Sequence, residues 1–240
     1  MRKVLFIFGQ LTHSDVDWLA AQGEQAVVLL DGAGFPCNSG GTMTSDVPIR
    51  CQCGRVRGMA RDVRPRTVNR AVCYCHDCRA FAHWLAREDL LDARGGSEII
   101  QLARGRLEIT EGGDRLRCVR LSPKGMHRWY AECCRTPLGN TLPRIPFVGV
   151  VRSTFELPGT DTAATFGVIT SQFGPAIGGP PPGARFTVRG IAHVLRLVAS
   201  WTVRGLGHPT PFFDRKNRPT ATPRILTDAE RQKLCEHPRA

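Results

Sequence analysis

The stretch Cys73-Tyr74-Cys75-His76-Asp77-Cys78 places three cysteines close together near the middle of a chain of 240 residues. Two more cysteine-rich stretches flank it: Cys51-Gln52-Cys53-Gly54 before it and Cys133-Cys134-Arg135-Thr136-Pro137-Leu138 after it. Eight of the ten cysteines therefore lie between Cys51 and Cys134. Cysteines at such spacings are typical of metal sites, because thiolates on tight turns can point at one ion.

The number of cysteines predicts two zinc sites. Zinc takes four ligands in a tetrahedron, and a site with only three protein ligands keeps a position for water or substrate. Cys73, Cys75 and Cys78 form a compact set of three. Cys51 and Cys53, with the pair Cys133–Cys134, form a second set that can be closed. One open and one closed site is the arrangement expected of a zinc enzyme that also has a structural zinc.

Composition limits the class of protein. Hydrophobic residues make up 42% and charged residues 22%, values that are typical of a globular chain and exclude wholesale disorder. The longest apolar stretch, Ile191–Val203, contains His193 and Arg196, so no membrane span is predicted. The apolar run Val4–Phe8 is too short for the core of a secretory signal. We therefore predict a cytoplasmic protein whose clustered cysteines stay reduced.

The charge of the chain suggests a second class of function. Its net charge is +12, and a basic protein attracts acidic partners. A zinc-stabilised binding module for an acidic partner such as nucleic acid is therefore the alternative to an enzyme. Aromatic residues make up only 7%, which offers few side chains for stacking on bases and argues against nucleic acid.

The middle of the chain is predicted to be mainly β. Short apolar runs broken by Gly and Pro favour a β-sandwich-like or barrel-like unit over alternating strands and helices. The predicted strands are Val56–Ala60, Thr67–Val72, Ile99–Leu102, Leu107–Thr110, Leu116–Leu121, Met126–Tyr130 and Phe147–Val151. One short helix is predicted at Cys78–Leu85.

The predicted domain organisation has four parts. These are an N-terminal extension at 1–42, a zinc-binding domain at 43–152, a loop-rich connector at 153–183 and a basic helical C-terminal extension at 184–240. Met43 directly precedes the cysteine-rich region, so a start at Met43, with 1–42 as an upstream addition that is not native, is a hypothesis.

Two helices are predicted in the C-terminal extension. Val188–Val203 has apolar residues at helical spacing, and Asp228–Leu234 follows Thr227, a plausible N-cap. The first helix is expected to cover the domain or to pack on a second copy in a homodimer, and a helix lying on a membrane surface is the second interpretation.

The three cysteine stretches, taken in order, resemble a known family. The pattern C-x-C-G, then C-x-C-x-x-C, then a late cysteine followed by x-T-P-L is similar to the glutathione-dependent formaldehyde-activating family, which includes centromere protein V. The resemblance covers residues 49–149. It implies a zinc-bearing β fold and a carbon–sulfur lyase activity that joins glutathione and formaldehyde reversibly. It also implies a structural zinc on Cys51, Cys53 and Cys134, and a catalytic zinc on Cys73, Cys75 and Cys78.

The late cysteine pair departs from the family pattern, which is C-x-x-C-G-T-P-L. With Thr136 aligned, Cys134 takes the place of the second cysteine, Ala131 replaces the first, and Arg135 replaces the glycine. Cys133 can supply the missing ligand only if the chain turns there, because neighbouring side chains of an extended strand point to opposite faces. Otherwise the site has three sulfurs or recruits Cys118 or His127.

The open site suggests a mechanism. Three thiolates on Zn²⁺ leave a net charge of −1, and a thiol bound as fourth ligand would be held as a thiolate able to attack formaldehyde. His76 and Asp77 are candidates for proton transfer to the new hydroxyl oxygen, and Arg79 is a candidate partner for the glutathione carboxylates. Cys37, Cys118 and Cys235 stand alone and are predicted to be packing or surface thiols.

Overall fold

A computed structural model of the chain describes residues 45–157, 162–174, 176–179 and 188–236. The predictions for 1–42, including Cys37, lie outside these residues. The strands are β1 Val47–Arg50, β2 Arg57–Ala60, β3 Asn69–Cys73, β4 Ser97–Ala103, β5 Leu107–Glu111, β6 Leu116–Arg120, β7 His127–Ala131, β8 Pro137–Leu142, β9 Ile145–Val151, β10 Ser171–Phe173 and β11 Arg224–Ile225. The helices are α1 His76–Trp84, α2 Thr162–Phe166, α3 Val188–Val203 and α4 Asp228–Glu236.

The strands form two sheets, so the prediction of a mainly β fold is confirmed. The small sheet has the order β1-β2-β5 and is antiparallel. The large sheet has the order β10-β3-β4-β9-β8-β7-β6-β11. Its inner strands are antiparallel, whereas β10 and β11 join its two edges in parallel. Parallel pairing requires a long connection, and both edge strands follow long segments that leave the sheet after β9.

The two sheets share one hydrophobic core. Val47 and Ile49 of the small sheet belong to the same buried cluster as Val148 and Val150 of the large sheet. Trp129 is fully buried in this cluster, and its indole Nε1–H donates a hydrogen bond to the Thr141 hydroxyl at 2.9 Å. Its ring contacts two phenylalanines of the C-terminal region, Phe212 at 5.0 Å and Phe213 at 5.8 Å between centroids. The C-terminal region thus completes the core.

The two predicted C-terminal helices are present. α3 has the predicted bounds, and its buried residues Leu197 and Trp201 pack against Ala103 at the end of β4. α4 begins after Thr227, whose hydroxyl accepts a hydrogen bond from the backbone N–H of Glu230 at 3.2 Å. The Glu230 carboxylate accepts one from the Thr227 N–H at 2.9 Å, which completes a capping box. Each helix of the described ranges is too short or too polar to cross a bilayer.

Four strands escape prediction because their sequences are short or contain proline. β1 contains Pro48 and lies at the edge of the small sheet, where a missing N–H donor is tolerated. β8 begins at Pro137, which needs no donor as the first residue of its strand. β10 and β11 have three and two residues. They extend the sheet from segments predicted as a connector and as an extension.

Gly174, directly after β10, lies against the central cysteine stretch. Its φ is +79°, and a Cβ built on it would lie 2.7 Å from both the backbone N and the Cα of Cys75. The backbone N–H of Tyr74 donates to the Phe173 carbonyl at 2.6 Å. β10 therefore packs on the Tyr74–Cys75 backbone, with no room for a side chain at Gly174.

We predict that Gly174→Ala destabilises the fold more than Gly178→Ala does. Gly178 has a similar φ, +73°, but no described atom lies within 4 Å of the point that its Cβ would occupy, so it reports backbone strain alone. The clash at Cys75 should add at least about 1 kcal/mol to the loss of unfolding free energy. Urea denaturation of both variants measures the difference, and equal losses would contradict close packing of β10.

Candidate metal centres

The first candidate centre consists of the four cysteines Cys51, Cys53, Cys133 and Cys134. Their sulfur atoms all lie within 4.8 Å of one another. The Sγ of Cys51 is 3.6 Å from that of Cys53 and 3.8 Å from that of Cys133. The Cys53–Cys133 and Cys133–Cys134 sulfur distances are 3.3 and 3.9 Å. Cys51 is buried and Cys53 is exposed, so the group lies at the protein surface.

A tight turn between β7 and β8 brings Cys133 and Cys134 into this group. The backbone N–H of Arg135 donates to the Ala131 carbonyl at 2.8 Å, and the N–H of Ala131 donates to the Thr136 carbonyl at 2.9 Å. Arg135 has a left-handed φ of +56°, a conformation that favours glycine. The formaldehyde-activating family, which the cysteine motifs resemble, has glycine at this position. The chain therefore has the turn that allows Cys133 to serve as the fourth ligand.

The two other candidates for the fourth ligand lie elsewhere. Cys118 is buried in the main core beside Trp129, and burial raises the pKa of its thiol to about 12. The ring centroid of His127 lies 5.4 Å from that of Phe213. Burial lowers the pKa of His127, which therefore stays neutral in this aromatic cluster.

The geometry of the four-cysteine group fits a tetrahedral metal ion. A Zn–S distance of about 2.3 Å places neighbouring sulfurs of a tetrahedron about 3.8 Å apart. The observed distances of 3.3 to 3.9 Å lie around this value and are far from a disulfide bond. Burial raises the pKa of the Cys51 thiol, and the backbone N–H of Val56, which donates to its sulfur at 3.3 Å, opposes this effect. The group can hold a metal ion, and four sulfur donors are compatible with zinc.

One thiol of this group is acidic. Burial raises the pKa of Cys134, but hydrogen bonds from Thr136 and from the backbone N–H of Cys53 outweigh burial and lower the pKa to about 6. The Cys134 sulfur and the Thr136 hydroxyl are 3.2 Å apart. Cys134 is therefore largely a thiolate at neutral pH, which is the form that binds metals.

The second candidate centre consists of Cys73, Cys75 and Cys78. Cys73 ends β3, Cys75 is the N-cap of α1, and Cys78 lies in its first turn. Their sulfurs lie within 4.8 Å of one another, and those of Cys73 and Cys75 are 3.1 Å apart. Hydrogen bonds from the thiols of Cys73 and Cys78 lower the pKa of Cys75. The N-terminal end of a helix further favours a thiolate through the helix dipole.

Arg128, on β7, places a positive charge next to this centre. Its side chain is only 2% exposed, and its Nη1 lies 3.9 Å from the Cys78 sulfur. Nη1 also donates to the Asn140 side-chain oxygen at 3.3 Å, and Nη2 lies 3.6 Å from the Asp77 carboxylate. A buried guanidinium needs compensating negative charge, and the cysteine group supplies it together with Asp77.

The predicted polar residues of the central stretch occupy different positions. His76 and Asp77 are about half exposed, and His76 Nδ1 lies 3.9 Å from Asp77 Oδ1. Arg79 donates from Nη1 to the carbonyl oxygen of Tyr74 at 2.7 Å. Arg79 therefore holds the cysteine loop in place. Cys235 lies in α4, and its side chain is not among those described.

Helix α1 connects the two centres. It begins at the three-cysteine group and ends at Trp84, whose carbonyl oxygen accepts a hydrogen bond from Arg135 Nη2 at 3.0 Å. The guanidinium of Arg135 also lies 5.8 Å from the centre of a Trp84 ring. Arg87, just after α1, donates to the Thr136 hydroxyl at 3.2 Å. The turn of the four-cysteine group is thus bound to the end of the helix that starts at the three-cysteine group.

Sequence reasoning assigned no role to Arg128, Thr136 or Gly174. Arg128 lies in a strand whose sequence shows no clean polar–apolar alternation, so the sequence does not indicate that its side chain is buried. Thr136 acts through its hydroxyl, which lies next to the Cys134 sulfur, and Gly174 acts through close backbone approach. A glycine after a short apolar run, as in Ser171–Gly174, is a weak indication of close backbone approach.

A protein-family comparison matches residues 43–222, which is well over half of the chain. The chain belongs to the family of unknown function DUF6151. The range matched to DUF6151 includes all seven cysteines of the two centres, as well as β10 and the core residues Phe212 and Phe213. Among solved structures, this DUF6151 chain is similar to the crystal structure of a Rhodobacter sphaeroides protein from a structural genomics programme. The two are 16% identical with a TM-score of 0.36, over 48% of this chain and 91% of that chain. No curated protein matches the DUF6151 chain.

We predict that Cys133→Ser removes about one metal ion per chain, whereas Cys118→Ser leaves the metal content unchanged. Cys133 supplies a quarter of the tetrahedral sulfur set, and loss of one ligand opens the site. Cys118 is the matched control because it is a buried cysteine in the core. Elemental analysis of the purified variants measures the metal content. Equal metal content in both variants would exclude Cys133 as a ligand.

Proposed function

We propose that this chain is a zinc-dependent carbon–sulfur lyase that joins glutathione and formaldehyde reversibly, or acts on a related thiol adduct. The observation that carries the proposal is the three-cysteine group at the start of α1, with Arg128 beside it. The motif resemblance to the formaldehyde-activating family points in the same direction. The chain would have two zinc sites, one of them structural.

Zinc suits both groups of donors. Thiolates in a tetrahedral set select zinc or an iron–sulfur cluster among common metals. The four-cysteine group offers a complete set, whereas the three-cysteine group leaves one position for a substrate. A zinc ion in the open site supplies positive charge that keeps the ligating sulfurs and an incoming thiol deprotonated.

The charges of the centre support a bound thiol. Three thiolates and one divalent cation sum to −1, and a fourth thiolate would raise this to −2. Arg128 compensates part of this charge from a position 3.9 Å from the Cys78 sulfur. The helix dipole of α1 adds further positive potential at Cys75 and Cys78. The protein thus stabilises an extra thiolate here.

Other residues of the chain would transfer protons or hold the cysteine loop in position. His76 and Asp77 are half exposed, so they can exchange protons between solvent and the new hydroxyl group. Arg79 keeps the Tyr74 carbonyl in place and so fixes the loop that carries Cys75. We further propose a cytoplasmic location, because clustered reduced thiols are typical of that compartment, which also holds a glutathione pool.

We predict that wild-type protein binds two zinc ions and that Cys78→Ser lowers the content of zinc by one and abolishes catalysis. The reaction also runs unaided, so exchange between free and adduct glutathione should be followed by NMR with and without protein. Cys118→Ser is the control that keeps both centres complete. Binding of glutathione to wild type, measured by calorimetry, should disappear in Cys78→Ser.

Two results would count against the proposal. A Cys78→Ser variant that binds glutathione like wild type would separate the thiol from the open centre. A wild-type protein with two zinc ions but no acceleration above the uncatalysed rate would leave both metals structural. The binding module for an acidic partner would then be favoured, and a steep salt dependence of its binding would be the sign of a polyanion.

A further inference from the structure

A small cavity lies beside the three-cysteine group. It measures about 10 Å³, which is room for one water-sized molecule. Its polar walls are Cys78, Ser97, Arg128 and Asn140, and Leu90 and Val151 are among its apolar walls. Cys78 belongs to both the cavity and the candidate metal centre, so a molecule held in the cavity lies next to the sulfur cluster.

Arg128 keeps an unused hydrogen-bond donor in this region. Its side chain is 2% exposed, and among the described residues no acceptor binds its buried Nε–H. Leaving a buried donor of a charged group unpaired is costly, and such groups in native proteins call for an explanation. The other guanidinium nitrogens are engaged by Asn140, by Asp77 and by the Cys78 sulfur. These contacts hold the guanidinium firmly at the wall of the cavity.

The size of the cavity restricts what can bind there. A carboxylate on a flexible chain, such as either end of glutathione, is far larger than a water-sized molecule. A carbonyl compound with one carbon has only two heavy atoms and is the reactant closest to that size. An oxygen atom is also the acceptor that a guanidinium recognises best.

We propose that Arg128 is a catalytic residue that binds the carbonyl oxygen of formaldehyde in this cavity, and that Leu90 limits the substrate to a single carbon. This inference rests on the proposed function and adds to it the site of the second reactant. In the forward reaction the thiolate sulfur of glutathione forms a bond to the carbonyl carbon, and the π pair of the C=O bond moves to the oxygen. That oxygen takes up a proton from solvent by way of His76 or Asp77, and the proton released when the thiol ionised returns to solvent, so that no net proton is consumed.

Arg128 acts on this step through charge. Negative charge grows on the oxygen as the carbon–sulfur bond forms, and a fixed cation at that point stabilises the transition state more than the neutral aldehyde. Because the guanidinium is already held by Asn140 and Asp77, little reorganisation is needed during the reaction. In the reverse direction the same contact stabilises the oxygen as the carbon–sulfur bond breaks.

The first test replaces Arg128. Arg128→Gln should lower kcat for adduct formation about 100-fold, as for loss of one oxyanion donor. Glutathione affinity should fall far less than kcat does, and the zinc content should stay at two. Arg128→Lys, which keeps the charge, should recover part of kcat. If active wild type and Arg128→Gln have equal kcat, the role of Arg128 is wrong although the proposed function stands. Loss of one zinc ion in Arg128→Gln would instead make Arg128 a structural counter-ion and overturn the inference.

The second test changes the size of the cavity and does not depend on the stability of Arg128 variants. Leu90 is half buried, and Leu90→Ala opens the apolar wall. The ratio of acetaldehyde to formaldehyde turnover should rise about 10-fold, the effect of one methylene in a pocket. Leu157→Ala, at a half-buried leucine packed on the main core, is the matched control and should leave the ratio unchanged. An unchanged ratio in Leu90→Ala would overturn the size limit. A wild type without catalysed exchange would overturn the proposed function itself, and the inference with it.

Discussion

The convergence of four sulfur atoms at Cys51, Cys53, Cys133 and Cys134 is the constraint on which the rest of the structure depends. Cys51 and Cys53 follow β1 of the small sheet, whereas the other two lie in the turn between β7 and β8 of the large sheet. A metal ion held here would tie the end of the small sheet to a turn of the large one, beside the hydrogen bond that the Gln52 N–H donates to the Thr136 hydroxyl at 3.0 Å. Metal affinity at such a site contributes directly to folding. The same turn holds the end of α1 through Arg135, so the geometry of the open centre depends on the closed one.

The sequence predicts those parts of the fold that are written in local patterns. The spacing of the cysteines indicates both candidate metal centres. The helical spacing of apolar residues predicts α3 with its observed bounds, Val188–Val203, and Thr227 indicates where α4 begins. What escapes prediction depends on contacts between distant residues. β8 begins with a proline and forms a strand because β7 and β9 both pair with it. The side chain of Arg135 stabilises its left-handed turn by contacts with the carbonyl oxygen and the ring of Trp84. These two residues are 51 positions apart, so no local pattern indicates the contact.

Arg128 shows the same limit at the candidate site. An arginine within a strand is usually expected to face solvent, yet this one is almost fully buried between Asn140, Phe81 and the cysteine group. Burial of a guanidinium is tolerable only where negative charge or many acceptors surround it. The cysteine cluster thus explains the position of Arg128. Hydrogen bonds from Cys73 and Cys78 lower the pKa of Cys75, and the charge of Arg128 adds to this lowering. The cysteine group and the guanidinium thus compensate part of each other's charge.

The two edges of the large sheet have a consequence for synthesis. β3 and β6 are covered by strands of three and two residues that come from positions 171–173 and 224–225. These coverings are too short to template pairing with another molecule, which protects the finished protein. During translation, however, β3 and β6 leave the ribosome well before their partners. The nascent chain therefore exposes two open strand edges for the time needed to make about a hundred residues, several seconds at ribosomal rates. The risk of aggregation is highest in that interval, and a chaperone that covers strand edges would lower it.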